Sequence, residues 1–169
     1  MSLESFFQDP MRALYILFEI CIAALILLIL FSALRKYRIK QMITALANNA
    51  AEMTPQEFME MRRTSLGGRG HKSIALSMNY VGVYILHNKT RNLYYVGQGK
   101  QVLNRVNAHF TGHGNGDVYA DYKHGDSFTI RTIALANSGF ASLNELERYA
   151  IEYYDAYRHG YNKTRGNRG

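Results

Sequence analysis

Residues 13–34 read ALYILFEICIAALILLILFSAL, an apolar run broken only by Glu19. A helix needs roughly 20 consecutive apolar residues to cross the ~30 Å hydrocarbon core of a bilayer. No other stretch of the chain comes close to that length. A core helix of a soluble domain keeps a polar face, and this run has none. A cleaved signal peptide would begin basic, carry a shorter apolar stretch and end in small residues. Here Glu4 and Asp9 stand against Arg12 at the start. The run is therefore read as an uncleaved transmembrane anchor.

Charge orients the anchor. Residues 1–34 hold Arg12 against Glu4, Asp9 and Glu19, a net charge of −2. Arg35, Lys36, Arg38 and Lys40 follow at once. The positive-inside rule puts that side, and the domain beyond it, in the cytoplasm. Glu19 lies about two turns from the N-terminal end of the run. It either finds a partner inside the bilayer or reaches the headgroups, and the second reading is favoured. Cys21, the sole cysteine, sits inside the run as a packing residue. One cysteine excludes a disulfide framework and a Cys-rich zinc site.

The 169 residues leave room for one compact domain besides the anchor. Two Pro and a charged fraction of 20% do not describe a disordered chain. Residues 35–79 read as a basic connector of net charge +5. Residues 36–51 can continue the anchor helix past the membrane. Thr54-Pro55-Gln56-Glu57 then signals a new helix, with Thr54 as N-cap, Pro55 at the first position and Glu57 closing a capping box. Residues 66–70, LGGRG, read as a hinge. The basic residues of the connector suit a solvated linker, with anionic lipid or nucleic acid as possible contacts.

Residues 80–169, of net charge +4, read as a small α+β domain with the order β-β-α-α-β-α. Residues 80–86 and 93–97 are β-branched and aromatic, and the polar turn between them makes them a hairpin. Apolar residues at Val102, Leu103, Val106 and Phe110 have helical spacing. Residues 111–116 form a loop, residues 117–123 a short helix and residues 128–136 a third strand. Ser142-Leu143-Asn144-Glu145 opens a last helix, running to about Tyr157. The expectation is a three-stranded antiparallel sheet flanked by helices, preceded by one transmembrane helix and a helical connector.

Within this frame the first strand presents Gly82-Val83-Tyr84 and the second Tyr95-Val96-Gly97. Arg105 and His109, four residues apart, share a helix face. Glu147 lies in the last helix and Asn162 follows its end. These residues closely resemble the GIY-YIG nuclease superfamily, whose two strand signatures recur here with Val in place of Ile. The resemblance spans roughly residues 80–165. Either tripeptide alone is weak; both at hairpin spacing, followed by the Arg, His, Glu and Asn, are specific.

The resemblance implies metal-dependent hydrolysis of a phosphodiester bond. By that resemblance Tyr84 is the general base that activates water, although a free tyrosine has a pKa near ~10 and must be tuned. Arg105 stabilises charge on the phosphate. Glu147 holds one Mg²⁺ or Mn²⁺, a single carboxylate with retained waters being ordinary for Mg²⁺. Tyr95 and His109 contact the phosphate or relay protons, and Asn162 orients the site. Relatives carry a further His or Asn in the loop after the first helix; either His113 or Asn115 fills that place. Lys100, Arg105, His113, Asn115, Lys163 and Arg165 are the expected nucleic-acid contacts. His109 and His113 have a zinc-like spacing, but with no Cys partner zinc is not expected. Gln98-Gly99-Lys100 lacks the spacing of a phosphate-binding loop.

Taken singly, each residue has a structural explanation: 13 Tyr make sheet packing the default for any one of them. Taken in family order, they read as a site. The chain is thus expected to be a membrane-anchored, cytoplasm-facing DNA endonuclease, RNA not being excluded. With no room for a targeting module, it is expected to have little sequence preference, or a membrane partner or second copy that delivers substrate. Incoming foreign DNA is the suggested target. The alternative is a catalytically silent, membrane-tethered nucleic-acid-binding module.

Overall fold

The computed structural model describes residues 10–63 and 78–167. The expected hinge at 66–70, and Glu4 and Asp9, lie outside them. Two compact units are present, residues 1–39 and 40–169.

In the first unit, helix α1 (Pro10–Asn49) starts and runs uninterrupted through the apolar stretch. Between Ile20 and Leu34 its side chains are apolar on every side apart from Ser32, and Leu25, Leu28 and Phe31 are 58%, 66% and 68% exposed. A helical segment with no polar stripe, left exposed among the described residues, has nowhere to hide its surface from water. By length and composition it can cross a membrane.

The second unit takes in the last residues of α1, from Lys40, followed by β1 (Glu52–Met53), α2 (Pro55–Arg63), β2 (Gly82–Asn88), β3 (Leu93–Gly99), α3 (Val102–Phe110), α4 (Gly116–Lys123), β4 (Phe128–Ala134) and α5 (Leu143–Tyr153). The sheet is antiparallel in the order β1-β4-β2-β3. It has four strands rather than the three expected. The extra strand, β1, is two residues long and pairs Glu52 with Arg131 and Met53 with Ile130. Arg131 also binds the Glu52 carboxylate at 2.9 Å. So short a strand has no alternation to read, and a partner 79 residues away creates it.

Strand β2 is central and buried almost throughout. Its side chains alternate between two cores, as pleating requires. Tyr84 and Leu86 face Val102, Val106 and Phe110 of α3, Val118 of α4 and Phe58 of α2. Val83 and Ile85 face Leu146, Ala150 and Ile151 of α5, together with Ile43 from the end of α1. Residues 40–63 are thus part of this unit's packing on both faces of the sheet.

The expected helix starts are present. Thr54 and Glu57 exchange capping bonds, the Thr54 N–H donating to the Glu57 carboxylate at 2.7 Å and the Glu57 N–H to Thr54 Oγ1 at 3.2 Å. Ser142 Oγ accepts from the Glu145 N–H at 3.2 Å. Several boundaries differ from expectation: β2 spans 82–88 rather than 80–86, β3 ends at Gly99 rather than Gly97 and β4 at Ala134 rather than residue 136. Strand β2 runs on to Asn88, whose buried side chain donates to Asp126 and to the Tyr161 hydroxyl, both at 2.7 Å. Helix α5 stops at Tyr153 because Asp155 turns into the left-handed region, φ 49°.

Candidate active site

Tyr84 enters the site from the central strand, and its position depends on what lies opposite. Gly97 is its register partner on β3. A Cβ built on Gly97 would collide with the Tyr84 hydroxyl. The glycine of Tyr95-Val96-Gly97 is therefore the space the tyrosine occupies. Tyr84 is 1% exposed, its ring centroid 6.1 Å from that of Tyr95 and 5.4 Å from that of His109. The Tyr95 and His109 centroids are 4.7 Å apart. Three of the expected residues are thus one aromatic cluster between β2, β3 and α3.

Both ring nitrogens of His109 are engaged. Nε2 lies 2.9 Å from the Tyr84 hydroxyl. Nδ1 accepts the backbone N–H of Asn115 at 2.9 Å. An amide N–H can only donate, so Nδ1 carries the lone pair. Burial, helped by the Arg105 charge, lowers the His109 pKa to about 4, so the ring is neutral near neutral pH. Its one proton then sits on Nε2 and is donated to Tyr84 Oη. His109 has no free nitrogen for a phosphate; what it offers is a hydrogen bond to the tyrosine oxygen. The loop that returns Asn115 to His109 passes so close that a Cβ on Gly114 would lie 2.6 Å from the ring.

Burial pushes the Tyr84 phenol well above its ordinary range, Tyr95 adds to the rise, and the Arg105 guanidinium opposes it by charge and hydrogen bonding. Burial likewise raises Tyr95. Arg105 itself is exposed, and its stem runs over Gly99, where a Cβ would lie 2.9 Å from Arg105 Cγ. Its helix is fixed at the start by the Val102 N–H on the Tyr80 carbonyl, 3.0 Å, and the Leu103 N–H on Asn79 Oδ1, 2.9 Å. Arg62 of α2 reaches the next residue, donating to Asn104 Oδ1 at 3.3 Å.

Glu147 on α5 is 9% exposed. Burial raises its pKa, and the only hydrogen bond it accepts among the described residues is a long one, 3.4 Å, from the Asn167 N–H. No cation pairs with it among the described residues. A buried carboxylate so short of partners is costly, and a divalent ion would satisfy it. It is near enough to Tyr95 for its charge to raise that phenol. No cluster of three His, Cys, Asp or Glu occurs among the described residues, so a cation here would take one protein carboxylate and complete its shell with water and substrate oxygens.

Asn162 acts on the edge of the sheet. Its Oδ1 accepts the Val96 N–H at 2.8 Å and its Nδ2 donates to the Val96 carbonyl at 2.7 Å. The Tyr161 N–H bonds the Tyr94 carbonyl at 2.9 Å. The side-chain amide thus replaces a missing strand beside β3 and fixes the residue between Tyr95 and Gly97.

The expected nucleic-acid contacts divide. Lys100 and His113 are exposed, and Arg165 is exposed with its guanidinium over the Tyr157 ring. Lys163 pairs with Asp117 at 3.2 Å. The Asn115 side chain caps α4, accepting from the Asp117 and Val118 N–H groups at 3.0 and 3.1 Å. Sequence reasoning quoted Gly97 only as part of a signature and missed Gly114 and the Asn115 backbone amide; only the fold shows what the glycines make room for.

A tyrosine pair and a histidine thus cluster within a small α+β domain, with Arg105 on the same helix as the histidine and the buried Glu147 on α5. Residues 80–162 match the family model of the GIY-YIG catalytic domain, which indicates a nuclease superfamily for this stretch of the chain. No curated protein and no solved structure matches the chain.

Proposed function

We propose that the chain is a membrane-anchored endonuclease that hydrolyses DNA phosphodiester bonds with Mg²⁺ or Mn²⁺. The observation that supports it best is the buried Tyr84–His109–Tyr95 cluster inside a GIY-YIG domain. Tyr84 takes the proton of the attacking water. His109 donates Nε2–H to Tyr84 Oη and so favours the phenolate, and the Arg105 charge acts in the same sense. Arg105 also meets the charge that develops on the phosphoryl oxygens. Glu147 holds the metal. When bound, the metal supplies positive charge that polarises the phosphodiester and stabilises the leaving oxygen. Asn162 keeps the strand between Tyr95 and Gly97 in register.

The basic balance of the chain suits phosphate contacts, which carry affinity without sequence information. Little intrinsic sequence preference follows, or delivery of substrate by a membrane partner or a second copy. With Arg35, Lys36, Arg38 and Lys40 after the apolar run, the domain faces the cytoplasm, where it would meet foreign DNA crossing the membrane.

One feature favours the second reading, a silent membrane-tethered nucleic-acid-binding module: the metal-free Tyr84 phenol is raised, away from the state a base needs. The experiment that separates the two uses the full chain in detergent with supercoiled plasmid, in Mg²⁺ and in EDTA, beside Glu147→Ala. Metal-dependent nicking lost in the variant supports the nuclease. DNA binding with no cleavage by the folded wild type supports the module.

A further inference from the structure

A groove of about 410 Å³ runs between α5 and the segment that follows it. Its size is that of a small-ligand site, about 300–1,000 Å³. Arg148, Arg158 and Arg165 line it together with the exposed ring of Tyr157. No ion pair ties the three guanidiniums to a carboxylate among the described residues. Arg165 lies over the Tyr157 ring, 5.3 Å from its centroid. Two carboxylates also line the groove, Glu152 and Asp155, and the second is held by His159 at 2.5 Å. The charge excess is small, so an anion would not be held there by charge alone. The aromatic ring supplies what charge lacks.

The groove neighbours the candidate site along the chain. Arg148 follows Glu147 directly, and the Asn167 N–H reaches the Glu147 carboxylate at 3.4 Å. Gly166, φ 93°, lets the far wall lie against α5; a Cβ there would stand 3.2 Å from the Arg148 Cα.

We propose that this groove binds a single-stranded segment of nucleic acid, one base stacked on Tyr157 and the flanking phosphates on Arg148 and Arg158. Arginines beside an exposed aromatic ring are the chemistry of single-strand binding, because an unpaired base has a free π-face. A duplex hides those faces inside its stack. The substrate class rests on the nuclease reading, but binding requires no cleavage.

The test uses the full chain in detergent with EDTA present, and fluorescence anisotropy of a short labelled oligothymidylate and of a duplex of the same length. The oligothymidylate binds more tightly than the duplex. Tyr157→Ala weakens it about tenfold, within the span of a lost base stack, and Tyr157→Phe keeps wild-type affinity. Arg158→Ala weakens it and lowers the slope of log affinity against log salt by about 0.7, one phosphate contact. Circular dichroism checks that each variant is folded. Unchanged affinity in both alanine variants overturns the proposal. So does an equal loss for the duplex, or displacement by polyglutamate as effective as by oligothymidylate, which would mean a general anion or acidic-peptide site. Plasmid nicking in Mg²⁺ keeps the two readings apart. Nicking with groove-independent binding sinks the groove alone; binding that needs Tyr157 and Arg158 without nicking sinks the nuclease and leaves the groove.

Discussion

Lowering the pH tests the buried histidine. His109 titrates near 6.5 when exposed and near 4 in the fold. Its folded pKa is depressed, so its neutral form stabilises the fold fully above pH 6.5. Between 6.5 and 4 the unfolded chain takes up a proton that the folded chain refuses. Each pH unit in that window costs at most about 1.4 kcal/mol. From pH 7 to pH 4.5 the loss is about 2.4 kcal/mol from this residue. With a urea slope of about 1–3 kcal/mol/M, the midpoint falls by roughly 1–2 M. The chain has no Trp and 13 Tyr, so near-ultraviolet circular dichroism of the full chain in detergent follows the transition. His109→Gln removes the titration, and its midpoint falls less over the same interval. Comparing pH dependences, not absolute stabilities, cancels the cost of the substitution and the titration of other groups. Equal falls in the two proteins would refute a buried, neutral His109, and with it the tautomer that donates to Tyr84.

Three further outcomes follow from the geometry. Gly97→Ala puts a Cβ into the Tyr84 hydroxyl; plasmid nicking should fall at least tenfold while α3 and α5 keep their helical signal in circular dichroism. Asn162→Ala removes both bonds to Val96; urea unfolding should show a loss of about 1–3 kcal/mol, and hydrogen exchange at the Val96 amide should speed up. Gly114→Ala crowds the His109 ring at 2.6 Å; it should cost about 1–3 kcal/mol by overpacking, with wild-type stability in a melt counting against the close approach.

The family signatures and the helix starts were legible because they sit in short local patterns. Gly82-Val83-Tyr84 and Tyr95-Val96-Gly97 lie on adjacent strands of a tight hairpin, and Thr54 with Glu57, or Ser142 with Glu145, fixes a helix start within one turn. What the sequence hid is non-local. Strand β1 pairs Glu52 and Met53 with Arg131 and Ile130, far along the chain. Asn88 reads as a turn residue, yet it ends a strand because Asp126 and Tyr161 satisfy its amide in the core. Asp155 gives no warning that α5 will end two residues earlier. The role of Asn162 as a substitute strand depends on the chain returning to the edge of β3 after 66 residues. The Asn115 amide bond to His109 is only six residues in span, but a Gly-rich loop has many conformations and its sequence does not select the one that closes on the ring.

In the proposed reaction Tyr84 accepts the proton of the attacking water. Single-turnover cleavage of plasmid by Tyr84→Phe, with Mg²⁺ and saturating enzyme, tests it most directly. A general base contributes about 10²–10⁴-fold, so the variant should cleave at least about a hundredfold more slowly while binding plasmid as wild type does. A variant that cleaves within a few-fold of wild type would contradict the assignment, leaving Tyr84 a packing residue of the sheet.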